Sequence, residues 1–136
     1  MAEAPEMDDR IFTLAEAQSL LPRLRSLLTE IGRQSEHLRK LNPDVQKARE
    51  KAQFDGYSKS GAEYVESVSH LMLLIHQVKD MGVHLKDADK GLCDFPYIRN
   101  GRVVYLCWQL GEDQIQFWHD IETGFAGREP LDGTDA

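Results

Sequence analysis

The spacing of apolar residues changes once along this chain. From Leu14 to Leu38, leucines and isoleucines recur at alternating steps of three and four residues, which is typical of one face of an α-helix. A second stretch with the same spacing runs from Tyr64 to Val78. After Gly82 the period falls to two, the spacing of strands whose alternate side chains share a face. Helices followed by strands predict the α+β class.

Capping and proline residues predict where the helices begin and end. Thr13 and Glu16 have the spacing of a capping box, so a helix is expected to begin directly after Thr13. Pro22 predicts either a kink or a restart after a short first turn. Pro43 predicts a stop followed by a new helix, and the glycines and serines of residues 54–61 predict a loop.

Two long helices joined by a short polar connection predict an antiparallel helical hairpin, here packed on a small antiparallel sheet of three to four strands. The length of 136 residues predicts a single domain, with residues 11–131 as its body and residues 1–10 and 132–136 as flexible termini. The strands are predicted at Val83–Lys86, Leu92–Phe95, Val103–Gln109 and Ile115–His119.

The loop between the last two predicted strands sets which side chains share a face. A four-residue loop ending at Asp113 places Leu106 opposite Phe117 and Val104 opposite His119. This pairing points His119 toward the helices and turns Cys107 to the reverse side of the sheet. A Cys–His nucleophile or a zinc site that uses both residues is therefore not expected, and Cys107 is interpreted as a packed, inert thiol.

Four polar side chains are candidates for a pocket at the junction of helices and sheet. Asp94 and His119 are predicted to point inward, Glu112 lies on the adjoining loop, and Arg128 comes from the C-terminal segment. A buried carboxylate needs a partner, so these groups either line a polar pocket or are satisfied by backbone atoms. On the outer side, Tyr105 and Trp118 are predicted to face each other, covered by the tail or available to a partner.

Composition narrows the range of functions. The 23 acidic and 16 basic side chains give a net charge of −7, which argues against a protein whose main role is to bind nucleic acid. No apolar run approaches the ~20 residues of a membrane-spanning helix, so no membrane association is expected. With only two cysteines the chain is not a disulfide scaffold, and a cytoplasmic location is expected.

The second half of the chain contains several short, distinctive motifs. They are Asp94-Phe95-Pro96, Tyr105-Leu106-Cys107-Trp108, Leu110-Gly111-Glu112, Phe117-Trp118-His119 and Gly127-Arg128. With these motifs the chain resembles one family of small bacterial proteins, the domain of unknown function 2203. That resemblance implies the same fold and a region of interest around the motifs, but it implies no reaction.

Three functional hypotheses remain open at this stage. The first is a non-catalytic binding or assembly module that forms a homodimer through its helical hairpin, because the leucine stripe exceeds what such a hairpin can bury. The second is a small-molecule enzyme that uses Asp94, Glu112 and His119 for acid–base chemistry, with Arg128 binding an anion. In the third, Asp94, Glu112 and His119 hold a divalent metal ion; no other cofactor is predicted, and the small ligand is unknown.

Overall fold

The computed structural model describes residues 9–55 and 59–136, and it describes the side chains of residues 9–43 and 61–136. Most of the predicted N-terminal segment, and residues 56–58 of the predicted loop, lie outside these ranges. In the described part of the chain, no helix combines the length and the apolar character that crossing a bilayer requires.

The first helix begins where its capping box predicts. The backbone N–H of Glu16 donates to Thr13 Oγ1 at 3.1 Å, and the backbone N–H of Thr13 donates to Glu16 Oε1 at 2.9 Å. This helix is short. A new helix starts after a single intervening residue, Leu20, and has Pro22 in its first turn. Of the two alternatives for Pro22, the restart is confirmed. The helices are α1 (Leu14–Ser19), α2 (Leu21–Asp55) and α3 (Lys59–Asp80).

The predicted stop at Pro43 is wrong, because α2 continues through this residue to Asp55. Proline inside a helix removes one hydrogen-bond donor and leaves the carbonyl four residues earlier without its usual partner. Here both Pro43 and Arg39 are exposed, so water can satisfy that carbonyl. Helix α2 packs on α3.

The sheet has five strands rather than the predicted three to four, and each strand is antiparallel to the next. The additional strand contains only two residues, one of them proline. A stretch this short shows no alternation of apolar and polar residues, so the sequence does not reveal it. The strands are β1 (His84–Asp87), β2 (Leu92–Arg99), β3 (Arg102–Gln109), β4 (Phe117–His119) and β5 (Glu129–Pro130).

The two faces of this sheet have different roles. Val104, Leu106 and Trp108 of β3 are fully buried and pack with the helices, which confirms the predicted apolar face of that strand. The alternate residues Tyr105 and Cys107 are equally buried but lie outside this core, on the reverse face. The helical side of the core contains residues of α1, α2 and α3, namely Ala17, Leu21, Leu24, Leu27, Leu28, Ile31, Leu74 and Val78.

A two-residue turn joins β2 to β3 and fixes their alignment. Asn100 and Gly101 have φ angles of 53° and 76°, the left-handed geometry of a type I′ hairpin turn. The turn lies where the sequence predicts it, and the ladder that it starts pairs Asp94 with Cys107.

The last residues of the chain, predicted to be flexible, make defined contacts. The hydroxyl of Tyr97 donates to the carboxylate of Asp135 at 3.0 Å, and the Nε of Arg99 donates to the same carboxylate at 3.1 Å. The backbone N–H of Leu14 donates to the carbonyl of Ala136 at 3.0 Å. This segment therefore lies against the start of α1 and the end of β2.

Candidate functional site

The register between β3 and β4 differs by one residue from the predicted one. Leu106 pairs with Trp118, and Cys107 pairs with Phe117. Because strand side chains alternate between faces, this shift turns every side chain of β4 to the opposite side. His119 therefore lies on the same face as Cys107, on the side of the sheet away from the helices. The prediction that these two residues lie on opposite faces is wrong.

Two hydrogen bonds from α1 account for this register. The backbone N–H of Ile115 donates to Gln18 Oε1 at 2.9 Å, and Gln18 Nε2 donates to the carbonyl of Ile115 at 3.2 Å. The side-chain amide of Gln18 thus bonds to the backbone N–H and C=O groups of Ile115, which would otherwise form hydrogen bonds with a neighbouring strand. The Ile115 side chain is buried in the helical core. The connection consequently runs to Gln116, and the strand begins at Phe117 instead of Ile115.

The shared face brings Asp94, Cys107 and His119 together. Only 3% of Asp94, none of Cys107 and 1% of His119 is exposed to solvent. One carboxylate oxygen, the sulfur and one ring nitrogen all lie within 4.8 Å of one another. We call these three residues the buried trio. Since Asp94 alternates with the core residues Cys93 and Phe95, the predicted location at the junction of helices and sheet is wrong.

His119 forms hydrogen bonds through both ring nitrogens. Nδ1 lies 2.7 Å from the carbonyl oxygen of Asp120, and Nε2 lies 3.0 Å from Oδ1 of Asp94. A carbonyl only accepts, so Nδ1 carries a proton. Burial alone lowers the pKa of His119, but the hydrogen bonds to Asp94 and to the Asp120 carbonyl together raise it above its ordinary value. The hydrogen bond to Asp94 thus favours a proton on the imidazole.

The thiol of Cys107 stays protonated in this environment. Burial above all, together with the charge of Asp94, raises its pKa to about 12, although the guanidinium of Arg128 opposes the rise. Both nitrogens of His119 are already committed, so the imidazole offers no base for the thiol proton. Cys93 is buried on the opposite face, and burial raises its pKa to about 12 as well. Neither cysteine has the character of a nucleophile.

Arg128 and Glu112 form a bidentate ion pair next to the buried trio. Arg128 Nη2 donates to both carboxylate oxygens of Glu112, at 2.9 and 2.8 Å. One of these oxygens also accepts the backbone N–H of Gln109 at 2.7 Å. The guanidinium carbon lies 4.0 Å from the ring centre of Phe117. Because Glu112 compensates the charge of Arg128, this arginine is poorly suited to bind an anion, and Glu112 is absent from the group that could hold a metal.

Tyr105 and Trp118, the candidates for a partner surface, do not face each other. Tyr105 pairs with His119 on the reverse face, and its ring centre lies 5.4 Å from that of His84. Trp118 joins the core on the helical side. Tyr105 is fully buried and Trp118 is 6% exposed, so these side chains offer no aromatic surface to a partner.

A cavity of about 750 Å³ lies elsewhere, between α2 and α3. Its lining mixes basic and acidic side chains, so its charge selects neither anions nor cations. The lining residues are Arg33, Gln34, Glu36, His37, Lys40, Glu63, Glu66, Ser67 and His70.

Residues 10–131 match a sequence family described as "Uncharacterized conserved protein (DUF2203)". The chain belongs to this family. The match confirms the resemblance inferred from the motifs, and it covers the buried trio together with the Arg128–Glu112 pair. No curated protein and no solved structure matches this DUF2203 chain. Because the family description names no activity, function has to be argued from the side chains themselves.

The sequence predicts Cys107 to be an inert thiol outside the candidate site, and it assigns no role to Gln18. A loop one residue longer than predicted is enough to shift the β3–β4 register and bring Cys107 and His119 to one face. Nothing in the sequence near Gln18 indicates that its side chain bonds the backbone of a residue 97 positions away.

The burial of both thiols predicts that the folded protein resists alkylation. At neutral pH, iodoacetamide should modify Cys93 and Cys107 at least ~100-fold more slowly in the native protein than in urea, since the thiolate is the reactive form and both side chains are buried. Mass spectrometry of timed samples measures this difference. Modification of Cys107 in the native protein at the rate found in urea would contradict the assignment.

The Arg128–Glu112 pair predicts a stability difference between two glutamates. Glu112→Ala should lower the free energy of unfolding by about 1–3 kcal/mol, because it leaves a partly buried guanidinium and the Gln109 N–H without their acceptor. Glu122→Ala, at an exposed position, is the matched control and should change the free energy of unfolding by less than about 0.5 kcal/mol. Urea unfolding measures both, and equal effects would show that the pair contributes nothing.

Proposed function

We propose that this DUF2203 protein is a non-catalytic assembly module that forms a homodimer through the outer face of α3. The observation that carries the proposal is a cluster of exposed apolar side chains on that helix. Val65, Met72 and Leu73 are 64%, 58% and 63% exposed. Exposed apolar residues gathered on one face are typical of a surface that another molecule covers.

The exposed cluster lies opposite the side of α3 that faces the core. Leu74 and Val78 are buried, whereas Val65 and Met72 are one heptad apart on the far side of the helix. Ala62 and Ser69 continue this row at steps of three and four, and both are small and uncharged. The row has the spacing of a helix–helix seam.

This interface differs from the one expected from the leucine stripe. Leu24, Leu28 and Ile31 of α2 are buried within the chain, so the stripe is covered by its own sheet and helices and needs no partner. Among the described residues, the three most exposed large apolar side chains all belong to α3. The predicted dimer interface involved the helical hairpin as a whole, whereas the interface proposed here uses only the outer face of α3.

Charge complementarity favours a second copy of this chain as the partner. A two-fold axis between Met72 and Leu73, with the helices antiparallel, sets Glu66 of each copy beside Lys79 of the other. Both residues are exposed, and neither forms an ion pair within the part of the chain that the structure describes. The same face thus complements itself, with apolar residues at its centre and opposite charges at its two ends.

The state of the buried trio weighs against the enzyme alternative. Acid–base catalysis requires groups that substrate can reach, but Asp94 and His119 are almost completely buried and are bonded to each other. Glu112 is held by Arg128. Two free, buried cysteines fit a reducing compartment, which supports a cytoplasmic location for the proposed module.

Solution mass tests the dimer. The wild-type protein should have twice the chain mass of 15.5 kDa in light scattering, and Leu73→Glu should give a folded monomer because it places a charge at the centre of the interface. Ile98→Glu is the matched control, since Ile98 is also exposed (53%) but lies on the sheet, and it should remain dimeric. A wild-type monomer at micromolar concentration would contradict the proposal.

A charge swap tests the arrangement of the two copies. Glu66→Lys alone should weaken the dimer several-fold, and adding Lys79→Glu should restore it, because the double variant rebuilds both ion pairs with reversed sign. Sedimentation equilibrium measures the dissociation constants. If the double variant is weaker than both single variants, the antiparallel arrangement is wrong even where the dimer itself exists.

A further inference from the structure

We propose that Asp94, Cys107 and His119 form a binding site for a divalent transition-metal ion of the zinc class. This site is independent of the proposed dimer, since it lies on the sheet face away from the helices. Three strands supply the ligands, β2 through Asp94, β3 through Cys107 and β4 through His119. Carboxylate, thiolate and imidazole are all ligands that Zn²⁺ uses in proteins.

The separations in the buried trio suit a tetrahedral ion. Bond lengths of about 2.3 Å to sulfur and about 2.0–2.1 Å to nitrogen and oxygen place the donor atoms about 3.3–3.6 Å apart. The Nε2 of His119 and Oδ1 of Asp94 are 3.0 Å apart, and no donor pair exceeds 4.8 Å. Binding of an ion therefore requires Nε2 of His119 and Oδ1 of Asp94 to move apart by a few tenths of an ångström. It also requires the sulfur of Cys107 to move inward by at most about 1.2 Å.

The surroundings of His119 also fit a metal ligand. Its Nδ1 proton is donated to the carbonyl of Asp120 at 2.7 Å, which fixes the ring and directs Nε2 toward Asp94. Metal-bound histidines in proteins almost always make such a bond through their other nitrogen. The guanidinium of Arg128 lies beside the buried trio, with its Nη2 3.5 Å from the carbonyl oxygen of Cys107.

The charges of the ion and of its ligands balance. When a divalent ion binds, the thiol loses its proton to solvent, as does Nε2 of His119 where it carries one, and bonds form from the ion to sulfur, nitrogen and oxygen. The two positive charges of the ion are matched by one negative charge on the thiolate and one on the carboxylate, so the site needs no further counter-charge. No group is oxidised or reduced in this step.

The donor set selects the class of ion. Thiolate and imidazole favour Zn²⁺ and its neighbours, such as Co²⁺, over Mg²⁺ and Ca²⁺, which prefer oxygen ligands. Three protein ligands leave the fourth position of a tetrahedral ion to one water molecule that enters with it.

Cobalt spectroscopy tests the site directly. After treatment with a chelator, the whole protein is titrated with Co²⁺, both in its folded form and during refolding from urea, so that burial does not limit entry. We expect one equivalent to give a sulfur-to-cobalt charge-transfer band in the near ultraviolet, and we expect one equivalent of Zn²⁺ to abolish it. Mg²⁺ in large excess should leave the band unchanged.

Two cysteine variants assign the sulfur. Cys93→Ser leaves Cys107 as the only cysteine of the chain and should keep the band, whereas Cys107→Ser should lose it. Asp94→Asn preserves the shape of the side chain and should weaken Co²⁺ binding at least ~10-fold. Absence of the band in the wild-type protein, or its persistence in Cys107→Ser, would overturn the proposal. If Cys107→Ser fails to fold, the Cys93→Ser variant still tests the proposal, because Cys107 is then the only thiol that can produce the band.

Discussion

The arrangement of polar groups in this protein depends on the two hydrogen bonds between the side chain of Gln18 and the backbone of Ile115. They take Ile115 out of the β-ladder, and its side chain packs in the core instead. Since strand faces alternate with every residue, the position at which β4 begins decides whether His119 meets the helices or meets Cys107. A contact made by α1 thus determines the chemistry on the far side of the sheet.

That chemistry is concentrated on one buried face. The apolar face of the sheet packs on the helices, whereas the reverse face holds a carboxylate, a thiol and an imidazole, with an ion pair beside them. Burying an isolated charge is costly, and each of these charges has a partner here. Burial makes the thiol a poor nucleophile, and the short distances between the three ligand atoms suit the proposed metal ion. The binding surface proposed on α3 and the proposed metal site therefore do not compete for residues.

Local patterns were enough to predict several elements of the fold. The Thr13–Glu16 capping box and the apolar face of β3 each depend on residues that are close in sequence, and both were predicted correctly. The restart near Pro22 was one of two alternatives that the sequence left open. The predicted stop at Pro43 was wrong because α2 continues through this residue. The hydrogen bond that proline removes lies on the exposed side of the helix, where water can replace it, so its loss does not end the helix. Strand β5 was missed because two residues carry no detectable period.

The site was only partly predictable for a different reason. Asp94, Glu112, His119 and Arg128 could be named from residue type and approximate position, but their pairing could not. The pairing of Asp94 with His119, of Glu112 with Arg128, and the inclusion of Cys107 all follow from a register that a distant glutamine sets. A contact between residues 97 positions apart leaves no periodic trace in the sequence.

The most direct test of this account is the strand register itself, measured by nuclear Overhauser contacts between backbone protons of β3 and β4. The account predicts cross-strand contacts between Leu106 and Trp118, flanked by contacts of Tyr105 with His119 and of Cys107 with Phe117. Contacts of Leu106 with Phe117 and of Val104 with His119 would contradict it, because they would turn the imidazole away from the thiol.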